Sequence, residues 1–197
     1  MKKALLVAGL FLVCNASSQI ALAKEAPART TNFGLHHLGV EAGLVDPEAA
    51  GSTLGFGVFA DLGNVSRDVR LSSHLGYWSI SDEDFGMEAS VQDISFGARA
   101  KYMFRVSSPK LQPYVGAGLG LHFFNSKVHF PEQDFGGGFV VPAFTVEDSS
   151  TELGLDLGGG AIRPLNPKTD LFLDLWYTMA EVDQLSMKVG VSFLISQ

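Results

Sequence analysis

The chain has 197 residues with a formal net charge of −7; 46% are hydrophobic, 18% are charged, and there are 22 Gly, 15 Phe and a single Cys. That length suits one domain, and so high an apolar content excludes a disordered chain. An excess of acid over base excludes a general nucleic-acid binder, which needs clustered Lys and Arg to meet phosphate.

The first residues read as an export signal. Lys2 and Lys3 precede an apolar stretch from Ala4 to Val13, about half of the roughly 20 residues a spanning helix needs. Ala21-Leu22-Ala23 supplies the small-x-small pattern for cleavage before Lys24. Val13 ahead of Cys14 argues against lipoprotein processing. The expected organisation is a cleaved signal peptide over 1–23, an N-terminal segment over 24–31 and one domain over 32–197. Cleavage removes Cys14, which excludes disulfides, thiolate metal sites and Cys nucleophiles from the exported chain.

Beyond that segment the sequence alternates with period two in eight stretches, the mark of strands with one apolar and one polar face. The first sets Leu38, Val40, Ala42 and Leu44 against His37, Gly39, Glu41 and Gly43. The second sets Leu54, Phe56, Val58, Ala60 and Leu62 against Gly55, Gly57, Phe59 and Asp61. The third opposes Val69, Leu71, Ser73, Leu75 and Tyr77 to Arg70, Ser72, His74, Gly76 and Trp78. In the fourth, Ile94 to Phe104 carries Ser95, Gly97, Arg99, Lys101 and Met103 on its polar face. The fifth, Tyr114 to Phe123, carries Gly116, Gly118, Gly120 and His122. The sixth, Glu152 to Ala161, adds Asp156 among three further Gly. The seventh, Leu171 to Met179, adds Asp174 and Trp176, and the eighth, Leu185 to Phe193, adds Lys188 and Gly190.

The connections 63–68, 105–112 and 163–170 read as compact turns rich in breakers, and 45–52, 80–92, 125–150 and 180–184 as loops, two of them long. Short turns at one end and longer loops at the other predict an all-β fold: an eight-stranded antiparallel up-and-down transmembrane β-barrel with a packed polar interior. A soluble barrel with its apolar face inside would show the same alternation. Gly is the commonest residue of the polar face, where it weakens an exposed strand but makes room in a narrow interior. The charges of that face also balance. Glu41, Asp61, Glu152, Asp156 and Asp174 can pair with Arg70, Arg99, Lys101 and Lys188, with His74 and His122 among them, as an interior out of water demands. On the apolar face, Tyr102, Phe104 and Phe193 fall at the turn end and Phe56, Tyr77, Phe123 and Tyr177 toward the loop end, two belts of the kind a bilayer selects.

Residues 113–124, Pro-Tyr-Val-Gly-Ala-Gly-Leu-Gly-Leu-His-Phe-Phe, resemble a phrase common in small outer-membrane β-barrel proteins of the OmpA/OmpX type. Lys188, Gly190, Phe193 and Ile195 are similar to the last-strand signal of that superfamily, although the chain continues to Ser196-Gln197 where the family usually ends on an aromatic residue. The resemblance implies residence in the outer membrane of a Gram-negative envelope, among lipid and lipopolysaccharide, and recognition by the barrel-assembly machinery.

Chemistry is sparse. Eight strands leave room for side chains or one small ligand, not a water-filled channel. Gly136-Gly137-Gly138 and Gly158-Gly159-Gly160 lack the Lys-Ser/Thr and the helix of a phosphate cradle, and no cofactor is implied. His36 and His37 are adjacent on a strand and face opposite ways. A lipid A-modifying enzyme would need an activated Ser or His at the bilayer edge; Ser73 and His74 are nearest, but they face opposite sides of the wall and no acid is evidently placed to orient His74. The expectation is a non-enzyme with a structural or surface-interaction role. The alternatives are that enzyme and a soluble periplasmic barrel binding an apolar ligand.

The loop end carries Asp46, Glu48, Asp82, Glu83, Asp84, Glu88, Asp93, Glu132, Asp134, Glu147, Asp148, Glu181 and Asp183 against Lys127, whereas the turn end is basic. Solubility of exposed loops accounts for such a cap. A sharper reading has Asp82, Glu83, Asp84 and Glu88 hold Ca²⁺ or Mg²⁺ that bridges to lipopolysaccharide, though their spacing matches no dedicated loop. Residues 125–150, with Phe130, Phe135, Phe139, Val140, Val141 and Phe144, are unusually apolar for an exposed loop. They are expected either to plug the barrel mouth or to form an extended hairpin with an edge for an extracellular partner.

Overall fold

Alternation of this kind builds a wall with two unlike faces, and the computed structural model closes that wall into a barrel. It describes residues 31–195 apart from 49, 85, 107–109 and 135–139. The expected signal peptide, its cleavage point, the segment before residue 31 and Ser196-Gln197 lie outside the described residues. The strands are β1 (Asn32–Pro47), β2 (Thr53–Asn64), β3 (Val69–Asp84), β4 (Met87–Met103), β5 (Gln112–Phe130), β6 (Gln133–Asp134), β7 (Val140–Val141), β8 (Phe144–Asn166), β9 (Thr169–Met179) and β10 (Gln184–Leu194). Eight of them form the closed antiparallel ring β1-β10-β9-β8-β5-β4-β3-β2, and β6 and β7 pair separately. Each strand of the ring meets its chain neighbours, and β1 meets β10 over His37↔Leu194 to Pro47↔Gln184, which removes the free edge.

The faces divide as the alternation predicts. Leu38, Val40, Leu54, Phe56, Leu119, Leu155, Leu173 and Val189 point outward and are exposed, while Glu41, Asp61, Arg99, Lys101, Asp156 and Asp174 are buried inside. This overturns the soluble alternative, whose apolar set would line the interior. Glycine creates the interior space: a Cβ on Gly116 or Gly158 would stand 2.9 or 2.8 Å from the Trp176 ring, and one on Gly154 would stand 2.8 Å from the His122 ring. Gly63, at φ +86°, lies where β2 shifts register between Asp61 and Gly63, and its N–H donates to Asp61 Oδ1 at 2.9 Å.

Two expected loops are largely strand. The sequence reads 80–92 as irregular, but β3 and β4 pair out to Asp84↔Met87. Of 125–150, only 131–143 remains as a connection, because β5 and β8 pair out to Phe130↔Phe144. The turn expected over 163–170 shrinks likewise, with β8 running to Asn166 and β9 starting at Thr169. These extensions escape a reading based on an apolar outer face because the sidedness reverses along them. The outward row Phe56-Tyr77-Ile94-Phe123 is the last apolar one. Beyond it the outer face reads Ser79-Gln92-Asn125-Ser149, then Ser81-Ser90-Lys127-Glu147, then Glu83-Glu88-His129-Thr145. The polar rows begin where lipid gives way to water.

The rise is one-sided. Adjacent strands β3, β4, β5 and β8 have 16, 17, 19 and 23 residues, whereas β2, β9 and β10 have 12, 11 and 11, and β1, with 16, ends level with β10 at Pro47↔Gln184. β8 pairs with β9 only from Leu155 onward. Residues Phe144 to Gly154 therefore have β5 on one side and no strand on the other.

Candidate functional site

The barrel interior is the most organised set of polar groups in the molecule. Near mid-height, Asp156 accepts from Arg99 Nε at 2.8 Å and from Thr178 Oγ1 at 2.6 Å, with His74 Nε2 at 3.7 Å. The Arg99 guanidinium lies 4.2 Å from the Trp176 ring centroid, a desolvated cation–π contact. One level toward the turn end, Asp174 accepts from Trp176 Nε1 at 3.1 Å and from the Tyr114 hydroxyl, with Lys101 Nζ 3.6 Å away. Lys188 donates to Glu41 Oε1 at 2.9 Å across β10 and β1. At the turn end Asp61 meets Arg70 and His37, each at 3.2 Å, and His37 Nε2 lies 3.6 Å from Asp170.

The interior residues named from sequence fall on the inward side of the wall, but Glu152 has Glu181 beside it and not the cation expected. Glu41, Asp61, Arg70, His74, Arg99, Lys101, His122, Asp156, Asp174 and Lys188 lie in or against the ring's interior, and Glu152 sits half-buried toward the loop end. His74 has an acid beside it after all, Asp156. Ser73 stays on the outer face, so the pair does not meet. The sequence reading assigns Asp93 to the acidic cap, but its side chain is wholly buried and faces His122 Nδ1 at 2.8 Å. Its neighbours Val91 and Ile94 give no warning, because the reversal of sidedness begins there. His37 and Asp170 are further interior groups that the charge-balance argument passes over.

Above this network the mouth is closed by side chains. Val45, Trp78 and Phe124 form a buried cluster, with Ile80, Val91 and Val182 against it. The 125–150 segment takes the hairpin alternative: Phe130 and Phe144 stack at its top with centroids 4.6 Å apart. Asp82, Glu83, Asp84 and Glu88 stand on the neighbouring β3–β4 hairpin. Glu83 and Glu88 are cross-strand partners, and Asp82 belongs to the opposite face. Among the described residues no three His, Cys, Asp or Glu group as metal ligands would. In the last strand Lys188 and Gly190 face inward, while Phe193, and Ile195 just past the strand's end, are about half exposed.

The model of the outer membrane protein beta-barrel domain matches residues 6–193. Among solved structures, the chain is similar to Neisserial surface protein A (TM-score 0.60, 21% identity, covering 81% of this chain and 97% of that one). It is also similar to a major outer membrane protein from Thermus thermophilus (0.54, 17%, 81% and 99%). A third is Ail, the attachment invasion locus protein of Yersinia pestis (0.51, 13%, 84% and 100%). At these identities the likeness is one of fold. No curated protein matches the sequence.

Proposed function

The chain belongs to the outer membrane protein beta-barrel domain family, and from that premise we propose that it is a non-catalytic surface-interaction protein whose partner engages the tall β5–β8 hairpin. The observation that carries this is the free edge of β8 from Phe144 to Gly154. An unpaired strand of that length offers its N–H and C=O groups as a template for another strand. An interior crowded with ion pairs and aromatic rings supports a rigid platform over an open pore. The outward apolar band contacts outer-membrane lipid and lipopolysaccharide, and the β10 residues Lys188, Gly190 and Phe193, with Ile195 just beyond, serve recognition by the barrel-assembly machinery.

Ail has been crystallised with the heparin analogue sucrose octasulfate, a polyanion. The cap of the present chain is acidic, so a polyanion is the wrong charge and a neutral or basic partner surface the right one. Deleting residues 125–149, which removes the upper hairpin and more than half of that edge, tests the proposal. The barrel should keep its cold-SDS mobility and its unfolding midpoint while cells producing it lose adhesion to surfaces that the parent chain confers. Unchanged adhesion, or a collapse of barrel stability, would refute it.

A further inference from the structure

We propose that the inner face of the half-wall built by β3, β4, β5 and β8 docks a cationic amphipathic peptide, its apolar side on the Val128-Val146-Phe130-Phe144 rows and its basic side chains on the acids that frame them. The proposal rests on the surface-interaction reading for its setting but uses the face of the hairpin, not its edge.

Register fixes that face. Pairing runs without a bulge from Met103↔Tyr114 to Glu88↔His129 and from Gln112↔Ile162 to Phe130↔Phe144. Side chains that point inward in the barrel therefore keep pointing toward its axis above the membrane. There the inner rows place Val128 beside Val146 and Phe130 beside Phe144, with Ala89 and Met87 on β4. The opposite half of the ring stops at Pro47, Thr53, Met179 and Gln184, so no other strand of the ring faces these rows. Phe144 is 49% and Val146 52% exposed. An apolar surface that stands in water on the axis side of a wall whose outer side is polar is a face arranged for a partner.

Charge selects the partner. Asp82 on β3 and Asp148 on β8 belong to the same inner face and occupy its two flanking strands. Glu48 and Glu181 are exposed on the short connections across the mouth, and Glu152 lies half-buried below. Lys127 is on the outer face, paired with Glu147 at 2.8 Å. The concave side is thus an apolar back wall framed by carboxylates, which attracts basic side chains and repels acidic ones. An amphipathic helix with Leu on one side and Lys on the other satisfies both requirements. A neutral acyl chain would use the wall but not the acids.

The test uses the full exported chain folded in zwitterionic nanodiscs, with empty nanodiscs as reference. The probes are an amphipathic Leu/Lys peptide and its Leu/Glu counterpart, each of about five helical turns. The expected result is saturable one-to-one binding of the Leu/Lys peptide alone. It should weaken at least tenfold in Phe144→Ser/Val146→Ser and, at low salt, severalfold in Asp82→Asn/Asp148→Asn, whose exposed positions leave the barrel fold untouched. Equal binding of both peptides, binding indifferent to these substitutions, saturable binding of the neutral hexadecanol in place of the peptide, or self-association through the Phe144 rows would each overturn it. If the peptide fails while deletion of 125–149 still abolishes adhesion, the inner face is wrong and the surface-interaction reading stands; if both fail, both fall.

Discussion

Replacing Asp156 by Ala tests whether the interior network holds the barrel together. Asp156 is fully buried, and its carboxylate accepts from Arg99 at 2.8 Å and from Thr178 at 2.6 Å. Its loss leaves the Arg99 guanidinium, itself only 8% exposed, without a counter-charge. Removing one partner of a buried pair costs about 3–5 kcal/mol, far more than removing both. The orphaned Thr178 hydroxyl adds about 1 kcal/mol, in part the same energy counted twice. The expected loss is about 4 kcal/mol. Asp156→Asn keeps the bond from Thr178 and should lose about 2–3 kcal/mol. The double variant Arg99→Met/Asp156→Asn should recover much of what Asp156→Ala loses. Urea unfolding in lipid vesicles, followed by fluorescence of the interior Trp78 and Trp176, measures these variants and Arg99→Met alone. A single Ala variant within about 1 kcal/mol of the parent, or a double variant showing the full sum of the single losses, would refute the reasoning.

Other outcomes follow from the faces. Leu119→Arg, in mid-strand on the outer face, should cost about 2–4 kcal/mol, whereas Ser149→Arg above the last apolar row should cost about 0–1 kcal/mol; equal costs would misplace the membrane boundary. Gly190→Ala drives a Cβ against the Val40 carbonyl oxygen and the Phe172 ring, and should lower stability by about 1–3 kcal/mol in the same assay. A closed barrel should also run at different mobilities in SDS before and after boiling; a single unshifted band would contradict closure.

The spanning part of the fold is legible in the sequence because its lipid-facing positions are apolar and its inward ones largely polar or small, and Leu119 between Gly118 and Gly120 shows the rule at one residue. The upper strands are not. Val128, Phe130, Val146 and Phe144 keep the alternation but with the opposite sense, so a search for apolar outer faces reads them as loop. Asp93 is misplaced for the same reason. His37 with Asp61 and Asp170 shows a different limit: it depends on side chains brought together from β1, β2 and β9, a proximity that no local spacing encodes.

Because β4 passes from Met103 to Met87 and β5 from Gln112 to Phe130 in unbroken register with each other, the two environments share a single reading frame. Inserting or deleting one residue inside either strand would exchange inside for outside on everything beyond it: Phe124 would turn to water and Asn125 toward the mouth. Length can therefore change in steps of two within these strands, sliding the apolar belt, or in the 131–143 connection, which lies outside the ring's register. Change in the height and shape of this surface over evolutionary time should accordingly be concentrated at that connection, with odd-numbered changes in length excluded from the strands beneath it.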